Sequence, residues 1–300
     1  MTENSKSIFL TLSGRTNAGK STLLNALIGE KIASVSSKPQ TTRTRITGIL
    51  TRDETQFVFI DTPGLHKPKN KLSGHMLKTA QDSAADADAV LYVIDCTKKL
   101  HEQDETMLKA ITEKKISCII IINKIDLLQD KSKMMPLMLN LENKYHPYAI
   151  IPVSAAENDG LEEILRTAGE LAQPSVHFFP DDKFTDQPEQ VLAAEMIREK
   201  LLRLLDDEVP HGIAVTIEKM SERNDKDLLD ISAVIYCERE SHKGIVIGKN
   251  GSMLKKIASS ARHELENFFQ IQVNLQCFVK VKEDWRNKEG LIRSFGLSEQ

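Results

Sequence analysis

The 300-residue sequence predicts an α/β fold, a mainly parallel doubly wound sheet followed by a smaller α+β domain. Three observations carry this. Apolar, β-branched runs at 89–95, 116–122 and 148–153 alternate with helix-periodic stretches at 102–114, 134–144 and 161–171, as parallel strands joined by helical crossovers require. A glycine-rich octapeptide, residues 14–21, lies between the first strand-like stretch and the first helical one. An aperiodic stretch carrying Pro174, Pro180 and Pro188 then precedes a half with a different order of elements. The expected division is a domain at 1–173, a linker at 174–188 and a domain at 189–300, each domain long enough for its own core.

Composition narrows the function classes. Forty Lys and Arg against 43 Asp and Glu give a net charge of −3, so any nucleic-acid surface must be local. Cys96, Cys118, Cys237 and Cys277 are scattered without a C-x-x-C pair, which argues against zinc or a disulfide framework and for a reducing compartment. No apolar run is long enough to span a bilayer, and the N-terminus lacks a basic-then-apolar signal. The expected location is the cytoplasm, with peripheral membrane contact left open.

Taken in order, residues 7–12 alternate like a strand, and 22–28 have helical apolar spacing closed by Gly29. Between them, Gly14-Arg15-Thr16-Asn17-Ala18-Gly19-Lys20-Ser21 reads G-x-x-x-x-G-K-S. An ordinary glycine-rich turn is the alternative, but about 0.01 such octapeptides are expected by chance in this length, so a phosphate loop is preferred. Backbone N–H groups from Gly14 to Thr22 would cradle phosphates at a helix N-terminus, Lys20 would reach the β- and γ-phosphates, and Ser21 would ligate Mg2+. The polar loop 37–43 runs into a strand at 46–50. Either Thr41 or Thr42 could close over Mg2+ and the γ-phosphate, with Thr42 preferred. The strand 57–60 ends at Asp61-Thr62-Pro63-Gly64, where Asp61 is placed to hold Mg2+ and the Gly64 N–H to approach the γ-phosphate; a plain strand-ending turn is the alternative.

The strand 116–122 ends at Asn123-Lys124-Ile125-Asp126. One carboxylate, Asp126, can accept from both the ring N–H and the exocyclic amine of guanine, a paired donor edge that adenine lacks. An unmade pair costs about 1–3 kcal/mol per buried group, enough to reject ATP. A helix cap is the alternative, with about 0.04 such tetrads expected by chance. The Lys124 stem would lie over the base and Asn123 would tie the loop to residues 14–21. Ser154 and Ala155 close the set, the Ala155 N–H meeting the guanine oxygen. Leu65 stands where many small GTPases carry a water-orienting Gln, which predicts slow intrinsic hydrolysis.

In the second half, 191–207 is helical, 213–219 and 229–237 are strand-like, and 271–281 is a final strand before a helix at 283–295. Gly248-Lys249-Asn250-Gly251 is a G-x-x-G tetrad, of which about 1.5 are expected by chance. Its flanks add the information. Ile245-Val246-Ile247 precedes it, an amphipathic helix follows, and 242–263 carries Lys243, Lys249, Lys255, Lys256 and Arg262 without one Asp or Glu. The alternative is a solvated helix face after a turn. The preferred reading is a backbone clamp on a short single strand, RNA-binding through Lys243, Gly248, Lys249, Asn250, Gly251, Lys255 and Lys256.

This ordered set resembles the translation-factor-like GTPases. Residues 14–22, 38–43 and 61–66, with 238–244 and 281–286 in the second half, resemble the Era family more narrowly. Thr16 and Ala18 depart from that family's usual Pro and Val, at positions that supply no required phosphate ligand. The resemblance implies a P-loop GTPase sheet plus a type II KH domain. It implies GTP and GDP as ligands, with Lys20, Thr42 and Gly64 serving hydrolysis, and Mg2+ held by Ser21, Thr42 and Asp61. Asn17 matches a position linked to K+ coordination. The implied RNA is single-stranded, near the 3′ end of small-subunit ribosomal RNA, the implied role is assembly of the small ribosomal subunit, and a monomer is expected. The alternative kept open is an RNA chaperone gated by nucleotide with negligible turnover. Related tRNA-modifying or membrane-linked GTPases lack a KH domain.

Overall fold

The computed structural model describes residues 5–36, 38, 41–63, 70–76, 87–130, 132, 134–223 and 227–297. The chain divides into two compact units. One comprises Met1–Ala33, Thr42–Lys67 and Met76–Asp186; the other comprises Ser34–Thr41, Pro68–His75 and Gln187–Gln300.

In the first unit β1 (Lys6–Ser13), β2 (Ile46–Arg52), β3 (Thr55–Asp61), β4 (Ala89–Asp95), β5 (Ser117–Asn123) and β6 (Ala149–Pro152) form a sheet of order β2-β3-β1-β4-β5-β6. β3, β1, β4, β5 and β6 are mutually parallel, and β2 is antiparallel to β3. Every residue of β4 is buried, as is every residue of β5 after Ser117. A parallel strand covered on both faces must be apolar on both, which is why these strands appear in the sequence as unbroken runs. The described helices are α1 (Lys20–Ile28), α2 (Glu102–Glu113), α3 (Met134–Tyr145) and α4 (Leu161–Leu171). α1 ends where Gly29, at φ 81°, donates its N–H to Asn25 O. Strand order reverses about β1, so the C-terminal ends of β1, β3, β4 and β5 gather their loops at one edge, where ligands bind in such sheets. Of the helix expected at 73–86, residues 77–86 lie outside the described residues.

The proline-rich stretch is hydrogen-bonded along this unit. β7 (Gln173–Pro174) pairs antiparallel with the start of β1. The buried Gln56 side chain accepts from the N–H groups of Phe178 and Phe179. Ile49 N donates to Phe184 O, and Thr185 Oγ1 to Thr47 O, which covers the outer edge of β2.

The second unit runs α5 (Glu189–Leu204), β8 (Ile213–Glu222), β9 (Leu228–Cys237), α6 (Glu240–Ile247), α7 (Ser252–Phe269), β10 (Gln272–Val281) and α8 (Glu289–Ser294). β9 pairs antiparallel with β8 and parallel with β10. This helix–strand–strand–helix–helix–strand order with one parallel pair is the type II KH arrangement. Ile197, Leu201, Ile235, Val246, Ile257 and Leu265 share its core. α6 is absent from the sequence reading because Ile245-Val246-Ile247 is a β-branched triplet beside a glycine; burial of Val246 in the core overrides local preference. The helix expected at 283–295 is broken. Asp284 takes φ 49°, Trp285–Asn287 form one 3-10 turn, and α8 follows. Trp285 is fully buried and donates its indole N–H to Gly212 O at 2.9 Å. Within this unit Ser34 and Val35 lie on α5, with Ser34 Oγ donating to Glu195 O and Val35 N to Glu199 Oε2.

Candidate functional site

β1 delivers the chain into a loop whose glycines are dictated by close approach. At Gly14, φ is 136° and a Cβ would lie 2.3 Å from Val93 O; at Gly19, φ is 99° and a Cβ would lie 2.2 Å from Asn123 Nδ2. Asn17 between them is left-handed at φ 63°. α1 starts directly after Gly19 with no side-chain cap, so its first-turn N–H groups face the loop as anion donors. Arg15, Thr16 and Ala18 complete the turn, and Thr22 lies in the first turn of α1.

Lys20 is buried and donates to the carbonyls of Gly14 and Arg15 at 2.9 and 3.0 Å, using two of its three N–H donors. Burial pushes its ammonium below the usual range, and Asp61 partly offsets this. Asp61 is fully buried at the end of β3, and burial pushes its carboxyl up against the pull of Lys20. Ser21 Oγ lies 2.7 Å from Asp61 Oδ2 and 2.9 Å from Thr42 Oγ1, and Thr42 Oγ1 lies 3.2 Å from the same carboxylate oxygen. The other oxygen, Asp61 Oδ1, is buried with no hydrogen-bond partner among the described residues. Two hydroxyls and a carboxylate with a spare buried lone pair fit a hard cation that takes oxygen ligands and draws the remainder from phosphate and water, as Mg2+ does. Thr41 differs. Its hydroxyl donates to Lys38 O at 2.7 Å, away from this cluster. Thr62 Oγ1 donates to Leu12 O and so pins the chain leaving β3 to β1, with Pro63 next. Gly64 and Leu65, expected at the γ-phosphate, lie outside the described residues.

The loop after β5 is tied to the glycine-rich loop. Asn123 Nδ2 donates to Ala18 O at 3.0 Å, and Lys124, left-handed at φ 70°, donates from Nζ to Asn17 O at 2.7 Å. Asp126 is exposed at the turn Ile125–Leu127 and its carboxylate accepts from Ser154 Oγ at 2.6 Å, which fixes its orientation. The Ala155 N–H, expected to meet the guanine oxygen, donates to Asn123 Oδ1 at 3.1 Å, because that amide is oriented by Ala18 on its other side. One residue at this edge was missed by the sequence reading. Asp95 ends β4 as Asp61 ends β3, and it accepts from Lys124 Nζ at 2.7 Å. The same strand-end criterion would have found it.

In the second unit the G-x-x-G loop joins α6 to α7. A Cβ on Gly248 would lie 2.7 Å from Met253 Cβ and 2.8 Å from Met253 N, and Asn250 and Gly251 take φ of 52° and 76°. The turn is closed by its own backbone, the Gly248 N–H donating to Gly244 O at 2.9 Å and the Gly251 N–H to Gly248 O at 3.1 Å. Lys249 and Asn250 are exposed at its tip, Lys255 and Lys256 are exposed on α7, and the half-buried Lys243 lies on α6.

Among the described residues no helix is long and apolar enough to cross a membrane. Residues 9–124 match a family model described as a 50S ribosome-binding GTPase, and residues 208–286 match the KH domain model. The chain is 46% identical over 295 residues to the GTPase Era of Clostridioides difficile, covering 98% of this chain and 99% of that one. It is 45% identical to the GTPase Era of Ruminiclostridium cellulolyticum, covering 97% of each. Two solved structures superpose with a TM-score of 0.94 at 36% identity, covering 98% of this chain and 100% of each. One is a point variant of Aquifex aeolicus Era bound to GDP.AlF4−; the other is Era in complex with MgGDPNP and nucleotides 1506–1542 of 16S ribosomal RNA.

Proposed function

The chain belongs to the Era family of GTPases, and from that premise we propose that it hydrolyses Mg2+-bound GTP and uses its KH unit to hold single-stranded RNA at the 3′ end of the small-subunit ribosomal RNA during small-subunit assembly. The observation that carries the nucleotide half is the tie of Asn123 and Lys124 to the carbonyls of Ala18 and Asn17, which sets a base reader and a phosphate cradle on one site. The 50S description belongs to a model of the nucleotide half alone, whereas the RNA in the related complex is 16S, so the small subunit is the preferred partner.

In hydrolysis, water attacks the γ-phosphorus and the terminal phosphoryl leaves the β-oxygen. Lys20 and the loop N–H groups from Gly14 to Thr22 would stabilise the charge that develops on the phosphate oxygens. Ser21, Thr42 and Asp61 would hold Mg2+, which neutralises phosphate charge when bound. Asp61 is assigned to the metal and not to a general base; the backbone of Gly64 and the Thr42 loop would place the water. Asn17 would hold K+ near the phosphates, in which case turnover is faster in potassium than in sodium buffer. The nucleotide domain is assigned to 1–173, a linker to 174–188 and the KH domain to 189–300. The protein is proposed to act as a cytoplasmic monomer, with peripheral membrane contact as a secondary trait.

The decisive experiment is Asp126→Asn. An amide donates to the xanthine oxygen as the carboxylate accepts from the guanine amine, so preference should pass from GTP to XTP. A variant that stays selective for guanine would remove Asp126, and this site, from base recognition.

A further inference from the structure

We propose that Asp95 is a positioning residue for nucleotide binding, a strut that holds the Lys124 ammonium between the base-reading loop and the phosphate loop. The inference rests on the nucleotide reading above and deepens it. In the sheet register Asp95 lies beside Asn123, the residue that opens the base loop. Its side chain is 8% exposed, and its rotamer is set by its own turn, since Oδ1 accepts from the Thr97 N–H at 3.0 Å and from the Thr97 hydroxyl at 2.6 Å. That leaves Oδ2 aimed at Lys124 Nζ, 2.7 Å away.

Lys124 needs such a partner. Its left-handed backbone turns the side chain back over the phosphate loop, where Nζ reaches Asn17 O at 2.7 Å. A long, flexible ammonium stem held by one carbonyl would exchange it for water, and Lys124 is 27% exposed. With a charged acceptor on one side and a loop carbonyl on the other, the stem is stretched across the place where a base would stack. Burial alone would raise the Asp95 carboxyl, but the hydrogen bonds from Lys124 and Thr97 outweigh it and hold it below the usual carboxylate range. Asp95 is therefore charged at neutral pH. Lys98 also approaches, at 3.4 Å, but it is more than half exposed and spans no second loop. Cys96 Sγ donates to Lys124 O, so the residue after Asp95 grips the same loop.

The test is a double-mutant cycle on release of fluorescently labelled GDP, read by stopped flow from the full chain. Asp95→Asn should speed release about tenfold, as loss of one partly screened charge-assisted hydrogen bond implies. In a Lys124→Met background the same substitution should change release less than twofold, because there is nothing left to position. Asp95→Glu keeps the charge and moves it by one methylene, and provides the same comparison should Asp95→Asn not fold. An equal effect of Asp95→Asn in both backgrounds would show a merely structural role and overturn the strut. A wild type that binds GDP but is indifferent to Asp95→Asn overturns the strut alone. A wild type that takes up no GDP overturns the nucleotide reading and the strut with it.

Discussion

Gly19 answers two constraints at once. Its left-handed φ disfavours any side chain, and a Cβ there would enter the amide of Asn123. Gly19→Ala is therefore expected to break the Asn123–Ala18 hydrogen bond and to weaken GDP binding at least tenfold; titration with labelled GDP checks this, and unchanged affinity would show the loops to be independent. The adjacent threonines make a sharper pair. Thr42 Oγ1 sits with Ser21 and Asp61, while Thr41 Oγ1 is committed to Lys38 O. Thr42→Val removes a hydroxyl at nearly constant volume and should reduce GTP turnover by tenfold or more, whereas Thr41→Val should leave it within about twofold. The reverse order would assign the ligand to Thr41. Adjacent residues in a loop share a local sequence environment, so local sequence could express a preference between them, but the contrast itself arises from partners 21 and 19 positions away.

At the scale of elements, the strap 173–186 and the α6–α7 turn differ in what holds them. In the strap, His177 Nδ1 lies 2.6 Å from Asp181 Oδ1 and Nε2 lies 3.2 Å from Glu54 O. Both partners are acceptors, so only the imidazolium donates to both. Burial alone would lower this imidazole, but the two hydrogen bonds outweigh it and raise it above its ordinary value of 6.5. Because the folded value is the higher one, the stabilisation is present below 6.5 and is lost as pH rises through the raised value. The amides of Phe178 and Phe179 should lose hydrogen-exchange protection across that window once intrinsic rates are corrected, and His177→Ala should abolish the pH dependence; protection that ignores pH in the wild type would refute it. The turn 248–251 is held by sterics. Lys249→Glu should lower affinity for single-stranded RNA by roughly tenfold or more and leave GDP binding unchanged. Unaltered RNA affinity would remove the turn from the clamp.

For the molecule as a whole, the chain passes from the second unit to the first between Thr41 and Thr42. Affinity for single-stranded RNA should therefore be higher with a nonhydrolysable GTP analogue than with GDP, by about 1–3 kcal/mol of coupling. Anisotropy of a labelled RNA measures it, and equal affinities would leave two unlinked modules. Sequence alone determined the parallel sheet, the phosphate loop with its two obligatory glycines, and the KH order of strands around a G-x-x-G turn. These follow from neighbours within a few residues, where strand alternation, strand-end carboxylates and glycine angles are encoded. Tertiary structure decided the rest. The helix α6, the broken C-terminal helix and the proline-rich strap each owe their form to groups distant in the chain. Lys124 meets Asn17 across 107 positions and Thr185 meets Thr47 across 138, and no local pattern announces such a partner. Burial and hydrogen-bond satisfaction are properties of the folded whole, so they select among conformations that the local sequence leaves nearly equal in energy.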